Sequence, residues 1–361
     1  MRSFTPGFLE AQPLTQGLVQ TVRLLGEYKG KQKLFATLSP QVLETLRQVA
    51  IIQSVESSNR IEGVTARIET IEALVAEKTT PQNRSQQEIA GYWDVLRTIH
   101  ANHAHMPFTT GVVRQLHRDL YQFSPSEGGQ WKAVNNDIEE KRSDGTTFIR
   151  FTPVPAHLAG EAMEELHSHF NTLWEDRTIE PLLLIPSYVL DFLCIHPFRN
   201  GNGRMARLLT LLLLYKAGYD VGRYISLEQI VERTRESYYE SLYASSRRWH
   251  DGAHSLLPWW EYFLGVMVLG AYREYERRVG VMTDSPGAKS RLVADVVERL
   301  PRRFLYSEVE RGCPGVSRPT IHRVLGSLRQ QGRIRCVKAG RGATYEKLDH
   351  PAGNDIISGG A

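Results

Sequence analysis

Cysteine is scarce in this sequence, and its three cysteines lack the spacing of a cross-linked or metal-stabilised fold. Cys194, Cys313 and Cys336 form no Cys-x-x-Cys pair and no Cys/His cluster with zinc spacing. The histidines of segment 100–105 fall at a predicted helix end without a carboxylate partner of clear spacing, so we expect them to be solvated. These absences argue against a disulfide framework and against a structural metal. With 361 residues, 41% of them hydrophobic, the chain is long enough for two or three domains.

A long hydrophobic run is also missing. The most apolar stretch, 208–214, contains Thr210 and follows Arg204 and Arg207. It is far shorter than the roughly 20 residues that span a bilayer, which predicts a buried helix instead. Segment 1–17 has no continuous hydrophobic region and is interrupted by proline and glutamate, so it does not resemble a secretory signal. We expect a cytoplasmic protein without a membrane partner.

Neither sign of charge dominates the whole chain, but the basic residues are concentrated in one segment. The 44 basic and 40 acidic residues give a net charge of +4. Residues 287–348 hold 14 basic and 5 acidic residues, which leaves the rest of the chain net acidic. A concentrated basic module is expected where the partner has a phosphate backbone, although many basic modules bind only an acidic protein surface or no partner at all.

Apolar residues at helical spacing dominate the first 285 residues and predict a mainly α-helical body. Ser39 and Pro40 mark the start of one helix that runs towards Glu62. Gly63 marks the predicted end of this helix. Further helices are predicted at 85–100, 111–121, 156–173 and 187–195, and from Trp259 to about 278.

Segment 131–151 interrupts the helical pattern. Apolar residues flank a polar turn with Asp-Gly at 144–145, which is a β-hairpin signal. A lone hairpin among helices is either a surface cover or a functional flap.

Residues 289–348 have the spacing of a winged helix. The predicted elements are helices at 290–300, 307–311 and 317–331, followed by strands at 333–338 and 344–348. Ser307 is the predicted cap of the second helix. The predicted recognition helix carries Arg318, His322 and Arg323, and the wing tip carries Arg341. These positions would let the four side chains contact a DNA groove and its phosphates. Such a module serves either DNA binding or dimerisation.

The segment that carries chemistry is 187–218, which reads as an apolar helix, a tight polar loop and a second apolar helix. Gly201, Asn202 and Gly203 allow the backbone to turn sharply where the second helix starts. Unpaired backbone N–H groups and the positive end of the helix dipole make an anion pocket there. The loop is therefore the candidate site.

Charged and titratable residues surround this turn. Arg204 and Arg207 lie one turn apart near the positive helix end, where two like charges require an anion such as a polyphosphate. His196 ends the first helix and faces the same loop. An imidazole there has a pKa suited to a general base.

Residues 196–207 read HPFRNGNGRMAR and closely resemble the Fic (Fic/Doc) signature HxFx(D/E)GN(G/K)RxxR. The resemblance implies a helical bundle that transfers AMP from ATP to a Ser, Thr or Tyr hydroxyl of a target protein. It implies that His196 is the base and that Phe198 anchors the loop. The Gly-Asn-Gly turn would cradle the phosphates, with Arg204 on the nucleotide phosphates and Arg207 on the γ-phosphate. Attack at the α-phosphorus expels pyrophosphate, a reaction that needs positioned cations and backbone donors.

One position departs from the signature. Asn200 stands where the family has the Asp or Glu that holds Mg²⁺, and its neutral oxygen would bind Mg²⁺ weakly or only through water. We expect ATP as substrate with a weakly held Mg²⁺. Transfer of another nucleotide or phosphoryl group, or removal of AMP, is the alternative that this substitution leaves open.

Residues 57–63 read SSNRIEG and resemble the (S/T)xxxE(G/N) motif of Fic proteins with an N-terminal inhibitory helix. Ser58 supplies the hydroxyl, Glu62 the carboxylate and Gly63 the ending. Glu62 lies in the last helical turn, where the dipole disfavours an anion, so it requires a cationic partner. The resemblance implies that Arg207 is this partner and that the pair occupies the γ-phosphate site.

The resemblance also gives roles to the hairpin and to a later helix. The hairpin would be a flap that registers the target by strand addition, with Thr147, Phe148 and Ile149 as its candidate edge. Tyr239 and Leu242 are candidate walls of an adenine pocket.

We therefore predict a mainly α protein, a Fic helical bundle with a small β-hairpin flap and a C-terminal winged-helix domain. The predicted boundaries are 1–106 for an N-terminal region with the inhibitory helix, 107–255 for the catalytic domain, 256–288 for a helix and linker, 289–348 for the winged helix and 349–361 for a flexible tail. The predicted function is an autoinhibited adenylyltransferase, a homodimer that modifies an unspecified protein or itself. The alternative is a DNA-binding regulator whose Fic domain senses nucleotide.

Overall fold

The computed structural model describes residues 2–38, 40–126, 128–141, 146–283, 288–313, 316–340 and 342–348. The described chain is mainly helical with small sheets, as predicted. It divides into two compact units, Met1–Gln32 with Arg47–Arg273 and Lys33–Leu46 with Glu274–Ala361. The predicted domain boundaries stay predictions, and the predicted tail, Ser39, Arg341 and the hairpin tip at 144–145 lie outside the described residues.

The N-terminal helices are α1 Gln16–Leu38, α2 Pro40–Ile61, α3 Ile68–Val75, α4 Arg84–Asn102 and α5 Thr110–Leu120, after a short 3₁₀ turn at Arg2–Phe4. Of these helices, α2, α4 and α5 have starts and ends within two residues of the predicted ones. Side-chain oxygens of Asn83 and Thr109 accept hydrogen bonds from backbone N–H groups and so cap α4 and α5. Gly63 has a φ of +78°, which ends the path of α2 just after Glu62.

The centre of the larger unit is formed by α6 Ala159–Asp176, α7 Pro181–Ile195 and α8 Asn202–Lys216. Segment 208–214 is buried throughout, as predicted. The predicted start of α7 at residue 187 is wrong, because the helix begins at Pro181. Proline suits a first helical position, and the Glu180 side chain accepts a hydrogen bond from Leu182 N. Pro186 lies inside the helix, where the burial of its surroundings outweighs one lost backbone hydrogen bond.

The hairpin is present as predicted. Strands β1 Ile138–Lys141 and β2 Thr147–Phe151 pair antiparallel, with Glu139 opposite Ile149 and a bulge after Ile138. The bulge redirects β1 where it approaches the helices.

Helices α9 Leu227–Arg233 and α10 Arg235–Ser246 follow α8, and a last long helix completes the unit. That helix consists of α11 Leu257–Trp260, a π-helical stretch Glu261–Val268 and α12 Leu269–Thr283. Trp249 Nε1 donates to Asp191 Oδ1 at 2.6 Å, and Trp259 Nε1 donates to the Pro186 carbonyl at 2.8 Å. These indole bonds tie the C-terminal part of the unit to α7.

The basic C-terminal segment has the elements α13 Ala288–Arg299, β3 Arg303–Leu305, α14 Tyr306–Gly312, α15 Arg318–Gln330, β4 Ile334–Lys338 and β5 Thr344–Lys347. The antiparallel sheet has the order β3-β5-β4. Its core is apolar, with Val293, Phe304, Ile321 and Leu325 buried. The order of these elements agrees with the predicted winged helix. The assignment of this segment to that fold stays a prediction.

Two details of this segment differ from the prediction. Strand β3 was not anticipated, because three residues are too few to show alternation. Ser307 does not cap α14: the helix starts at Tyr306, and Glu308 accepts a hydrogen bond from Leu305 N at 2.7 Å. A carboxylate reaching back to the first residue replaces the hydroxyl cap.

The expectation that the histidines of segment 100–105 are solvated is wrong for His100. Its Nε2 lies 3.1 Å from the Tyr215 hydroxyl, and Arg223 donates to its carbonyl at 2.9 Å. Burial lowers the pKa of His100 to about 3. This imidazole is a neutral core group.

The described cysteines form no disulfide, and the described residues contain no group of three or more His, Cys, Asp or Glu arranged to hold a metal. Of the described helices, none combines the length and apolar character of a membrane span.

Candidate active site

His196 lies at the C-terminal end of α7 in a left-handed backbone conformation, with φ 50° and ψ 58°. Its Nδ1 lies 3.4 Å from the Leu193 carbonyl, which favours the tautomer with the proton on Nδ1 and the lone pair on Nε2. Burial, and after it the positive charge of Lys132, lowers the pKa of His196 to about 4. The imidazole is therefore neutral at pH 7 and able to accept a proton.

The loop after His196 is closed by its own side chains. Phe198 is fully buried and stacks on the His117 ring with centroids 3.6 Å apart. Asn202 accepts a hydrogen bond from Phe198 N and donates one to Phe198 O, at 3.0 and 2.8 Å. In this structure the Asn202 side chain shapes the loop, and its backbone N–H is left for the anion pocket.

Residues from outside the loop bind its carbonyl groups. Lys132 donates from its backbone N to Pro197 O at 2.8 Å and from Nζ to Ile195 O at 3.1 Å. Asn136 donates to Phe198 O at 3.2 Å. We call residues 129–136, which lead into β1, the flap stem. It holds the candidate base and its neighbours in place.

His117, on α5, extends the same support. Gly129 N donates to His117 Nδ1 at 2.8 Å, which leaves Nε2 as the donor to Asn200 O at 3.0 Å. Burial lowers the pKa of His117 to about 4, so the ring stays neutral. Our sequence reasoning missed His117, Lys132 and Asn136, because they carry no motif and contact the loop across 60 or more residues.

Arg207 is the cation that faces Glu62. Its Nη2 lies 2.8 Å from Glu62 Oε1 and 2.9 Å from Ser58 O, and its Nε donates to Ser58 Oγ at 2.8 Å. Burial pulls the pKa of Glu62 upward, but the charge and hydrogen bond of Arg207 together with the charges of Arg204 and His196 outweigh burial, and the pKa is lowered. Two α2 residues, one turn apart, thus bind one guanidinium of α8.

The Glu62 carboxylate also lies over the start of α8. A Cβ placed on Gly203 would overlap Glu62 Oε1, so only glycine leaves room for the carboxylate there. This is the position where the helix end would bind an anion.

Arg204 has a different environment. It forms an ion pair with Glu88 of α4 at 2.8 Å and contacts Tyr121 OH at 3.1 Å and Asn59 Oδ1 at 3.4 Å. The idea that two adjacent arginines require an external anion is therefore corrected: each already has a carboxylate partner within the chain. Sequence reasoning missed Glu88 for want of any local signal.

A pocket opens between this loop, the hairpin and α10. Its described lining is Glu62, Ile138, Arg150, Phe151, Leu190, Leu193, Cys194, His196, Gly203, Arg207, Tyr238, Tyr239, Leu242, Tyr243 and Ser246. The predicted wall residues Tyr239 and Leu242 belong to it, whereas Asn200 and Arg204 are not part of that lining. The Asn200 side chain is exposed beside the loop.

The hairpin contributes Arg150 to this pocket. The Arg150 guanidinium lies 5.4 and 5.3 Å from the ring centres of Tyr239 and Tyr243 and donates to the Tyr239 carbonyl. Ile149, on the candidate flap edge, is 56% exposed. Thr147 and Phe148 lie on the same strand, and their side chains lie outside the described residues.

A buried carboxylate anchors α2 beside the pocket. Glu228 of α9 accepts hydrogen bonds from Ser54 Oγ at 2.7 Å, Tyr92 OH at 2.9 Å and Ser226 Oγ at 3.2 Å. Ser54 lies on α2, one turn before Ser58. Glu228 thereby fixes the helix that presents Glu62.

Residues 107–214 match the family model described as Fic/DOC family. The chain is 24% identical over 180 residues to a protein adenylyltransferase Fic of Nematostella vectensis, covering 47% of this chain and 39% of that protein. It is 28% identical over 113 residues to a probable protein adenylyltransferase of Aquifex aeolicus, covering 31% and 32%. The chain spans well under half the length of these curated relatives.

The fold is shared with a solved Fic family protein from Desulfovibrio desulfuricans G20. The TM-score is 0.60 at 21% identity, and the match covers 94% of this chain and 98% of the other.

Proposed function

We propose that the chain, whose residues 107–214 match the Fic/DOC family model, is a protein adenylyltransferase restrained by its own α2. The observation that carries the proposal is the Glu62–Arg207 ion pair above the start of α8, opposite the neutral imidazole of His196. Such an enzyme needs a general base and an anion pocket, and a carboxylate that fills this pocket would restrain it.

In the proposed reaction, His196 Nε2 takes the proton of a target hydroxyl. The hydroxyl oxygen attacks the α-phosphorus of ATP, and the bond between that phosphorus and the oxygen that bridges it to the β-phosphorus breaks, which releases pyrophosphate. Negative charge develops on the phosphoryl oxygens and the leaving group. Backbone N–H groups of the 201–203 turn and the guanidinium of Arg207 are placed to stabilise it.

The nucleotide base would enter the apolar end of the pocket, between Tyr239 and Leu242. The target segment would pair with the hairpin edge at Thr147, Phe148 and Ile149, because an extended peptide gains main-chain hydrogen bonds there. The first assignment is supported by Tyr239 and Leu242 in the pocket lining, and the second by the strand of residues 147–151, which contributes Arg150 and Phe151 to that lining.

The residues present do not fit a resident Mg²⁺. Asn200 offers a single neutral amide oxygen, and the described residues around it include no group of acidic side chains arranged for a cation. Mg²⁺ prefers carboxylate and phosphate oxygens. The steps above therefore run through the protein's own side chains and backbone.

The restraint follows from the same geometry. Glu62 occupies the anion position over Gly203 and engages the guanidinium that would bind the γ-phosphate. ATP can then bind only by displacing Glu62 or in a pose that does not expose the α-phosphorus to attack.

The test is incorporation of label from α-³²P-ATP by the purified chain, its Glu62→Gly variant and the Glu62→Gly variant that also carries His196→Ala. We expect weak labelling of wild type, at least about tenfold more in the first variant and none in the double variant. Glu69→Gly, which removes an exposed carboxylate from α3, is the matched control and should resemble wild type. Label that persists without His196 would contradict the proposal.

The same assay separates the alternative reactions. Label from GTP, CTP or UTP in place of ATP would indicate another nucleotide donor, label from γ-³²P-ATP a phosphoryl transferase, and release of AMP from a labelled protein the reverse activity.

The C-terminal segment supports a second candidate function, DNA binding. Its net charge is strongly positive, and Arg318, His322 and Arg323 lie on α15 after a turn. Arg318 already pairs with Glu310 at 2.6 Å, and His322 stacks on Tyr306. A gel shift on the gene's own upstream DNA, with random duplex as competitor, tests this function; no preference over random duplex would contradict it. Light scattering on the same sample tests the proposed homodimer.

A further inference from the structure

Lys132, in the flap stem, hydrogen-bonds the backbone on both sides of His196, although it belongs to no sequence motif. Its backbone N–H binds Pro197 O at 2.8 Å, and its Nζ binds Ile195 O at 3.1 Å. These are the carbonyls on either side of His196. A left-handed conformation at a non-glycine residue is held only where the surroundings fix it, and Lys132 supplies two of those bonds.

The ammonium group of Lys132 is enclosed. The residue is 4% exposed, and Nζ donates its second described hydrogen bond to Asn136 Oδ1 at 2.9 Å. Asn136 in turn donates to Phe198 O at 3.2 Å. Lys132 does not belong to the described lining of the pocket, so its charge acts on the site without contacting a ligand.

We propose that Lys132 is a positioning residue for the general base: it fixes the peptide on both sides of His196 and places a positive charge behind the imidazole. Its catalytic part rests on the adenylyl transfer proposed above, whereas its electrostatic part does not depend on any reaction.

The charge of Lys132 persists in its surroundings. Burial lowers the pKa of Lys132 to about 8, with Asp137 acting in the opposite direction, so the group is mostly protonated at pH 7. Lys132 is the largest charge effect that lowers the pKa of His196, and Glu62 acts against it. A base kept unprotonated at neutral pH is ready to accept the hydroxyl proton.

Other charged and titratable groups face the same pocket and must be kept constant in any test. They are Glu62 of α2, Cys194 of α7, Arg207 of α8, Arg150 of β2, and Tyr238, Tyr239 and Tyr243 of α10. None of them binds the carbonyls that flank His196 among the described hydrogen bonds.

The first experiment measures the proton affinity of His196 by NMR titration of the full chain with labelled histidines, and His196→Gln identifies the resonance. Lys132→Gln keeps an N–H donor but removes the charge, Lys132→Met removes both, and Lys132→Arg keeps both. We expect His196 to bind protons about tenfold more tightly in the Gln and Met variants and as in wild type in the Arg variant.

Lys216 provides the matched control, because its Nζ also donates to a backbone carbonyl, that of Met106, at 2.8 Å. Lys216→Gln should leave the His196 titration unchanged, and His254 should titrate alike in every variant. Unchanged proton affinity of His196 in both the Gln and the Met variants would overturn the electrostatic part.

The second experiment measures AMP transfer in the Glu62→Gly background. Lys132→Met should lower kcat at least about tenfold with KM for ATP nearly unchanged, and Lys132→Arg should restore most of the rate. An unchanged kcat, or no rescue by arginine, would overturn the positioning role. If Glu62→Gly itself transfers nothing, the proposed function fails, while the NMR titration still decides whether Lys132 controls His196.

Discussion

The carboxylate of Glu62 and the guanidinium of Arg207 lie 2.8 Å apart across α2 and α8, and the carboxylate covers Gly203 at the start of α8. The chain thus places one of its own carboxylates over the helix N-terminus that we propose as the anion pocket. The Arg207 side chain is buried, while about a third of the Glu62 side chain, 32%, is exposed. The pair is therefore asymmetric: Glu62 can leave towards solvent, and Arg207 cannot.

The ion pair predicts a pH dependence of stability. The pKa of Glu62 is lowered in the folded chain, so its contribution is present above its unfolded pKa of about 4.3 and is lost as the pH falls through the lower folded value. Urea unfolding of wild type against Glu62→Gln should differ by about 1 kcal/mol at pH 7. The difference should disappear on acidification, and a constant difference at every pH would contradict the prediction.

The buried Glu88–Arg204 pair predicts strong coupling between α4 and α8. Glu88→Leu alone should lower the free energy of unfolding by about 3–5 kcal/mol, because it leaves the buried Arg204 without a carboxylate; Arg204→Met alone should lower it less, because Glu88 keeps its ion pair with Arg84 at 2.9 Å. The double change Glu88→Leu with Arg204→Met should recover most of that loss. Chemical denaturation of all four proteins gives the coupling energy, and additive losses would show that the pair is not coupled.

The double variant also tests the predicted phosphate role of Arg204. If Arg204 binds the nucleotide phosphates, calorimetry on the folded double variant in the Glu62→Gly background should show at least about tenfold weaker ATP binding, roughly 1.4 kcal/mol. Equal affinity would show that Arg204 serves the structure only.

Glu228 predicts a link between a buried carboxylate and the position of α2. Glu228→Gln places an amide N–H group among three hydroxyl donors, which should cost about 1–3 kcal/mol of unfolding free energy. Hydrogen exchange should increase in α2, since Ser54 loses its acceptor. Ser226→Ala is the milder comparison: it removes the hydrogen bonds of Ser226 Oγ to Glu228, Ser54 Oγ and Gln229 N but leaves Ser54 its carboxylate acceptor, so exchange in α2 should rise less than in Glu228→Gln.

Replacing Asn200 should change how ATP binding depends on Mg²⁺. In the Glu62→Gly background, Asn200→Asp should tighten Mg²⁺-dependent ATP binding about tenfold, because a carboxylate replaces a neutral amide oxygen. Calorimetry with ATP at several Mg²⁺ concentrations measures the effect. Asn200→Ala is the comparison. An ATP affinity equal to that of the protein with Asn200 would show that the amide oxygen contributes nothing.

The parts of the site that lie within one stretch of sequence could be predicted, and the parts assembled across the fold could not. The turn at 201–203, the burial of Phe198 and the meeting of Glu62 with Arg207 follow from two motifs. Glu88 and Lys132 have no such pattern, since a single buried charge looks like any surface charge in sequence. Only the packing of α4 and the flap stem against the loop reveals their partners.

Errors at the level of the fold have similar causes. The start of α7 was misjudged because proline ends some helices and begins others, and the difference here lies in Glu180 and the apolar surroundings. His100 was misjudged because a polar residue at a helix end is usually hydrated, whereas Tyr215 and Arg223 enclose this one.

The support of the loop determines where motion can occur. Carbonyls of Ile195, Pro197, Phe198 and Asn200 are all bound by residues outside the turn, so the loop is built to stay still. Access to solvent lies instead in the turn after α2, where the Glu62 side chain is 32% exposed, whereas Ser58 and Asn59 in the last turn of the helix are buried. A mutation that weakens the bundle elsewhere would then reduce the amount of protein without activating it, whereas loosening that one turn would change activity without changing abundance.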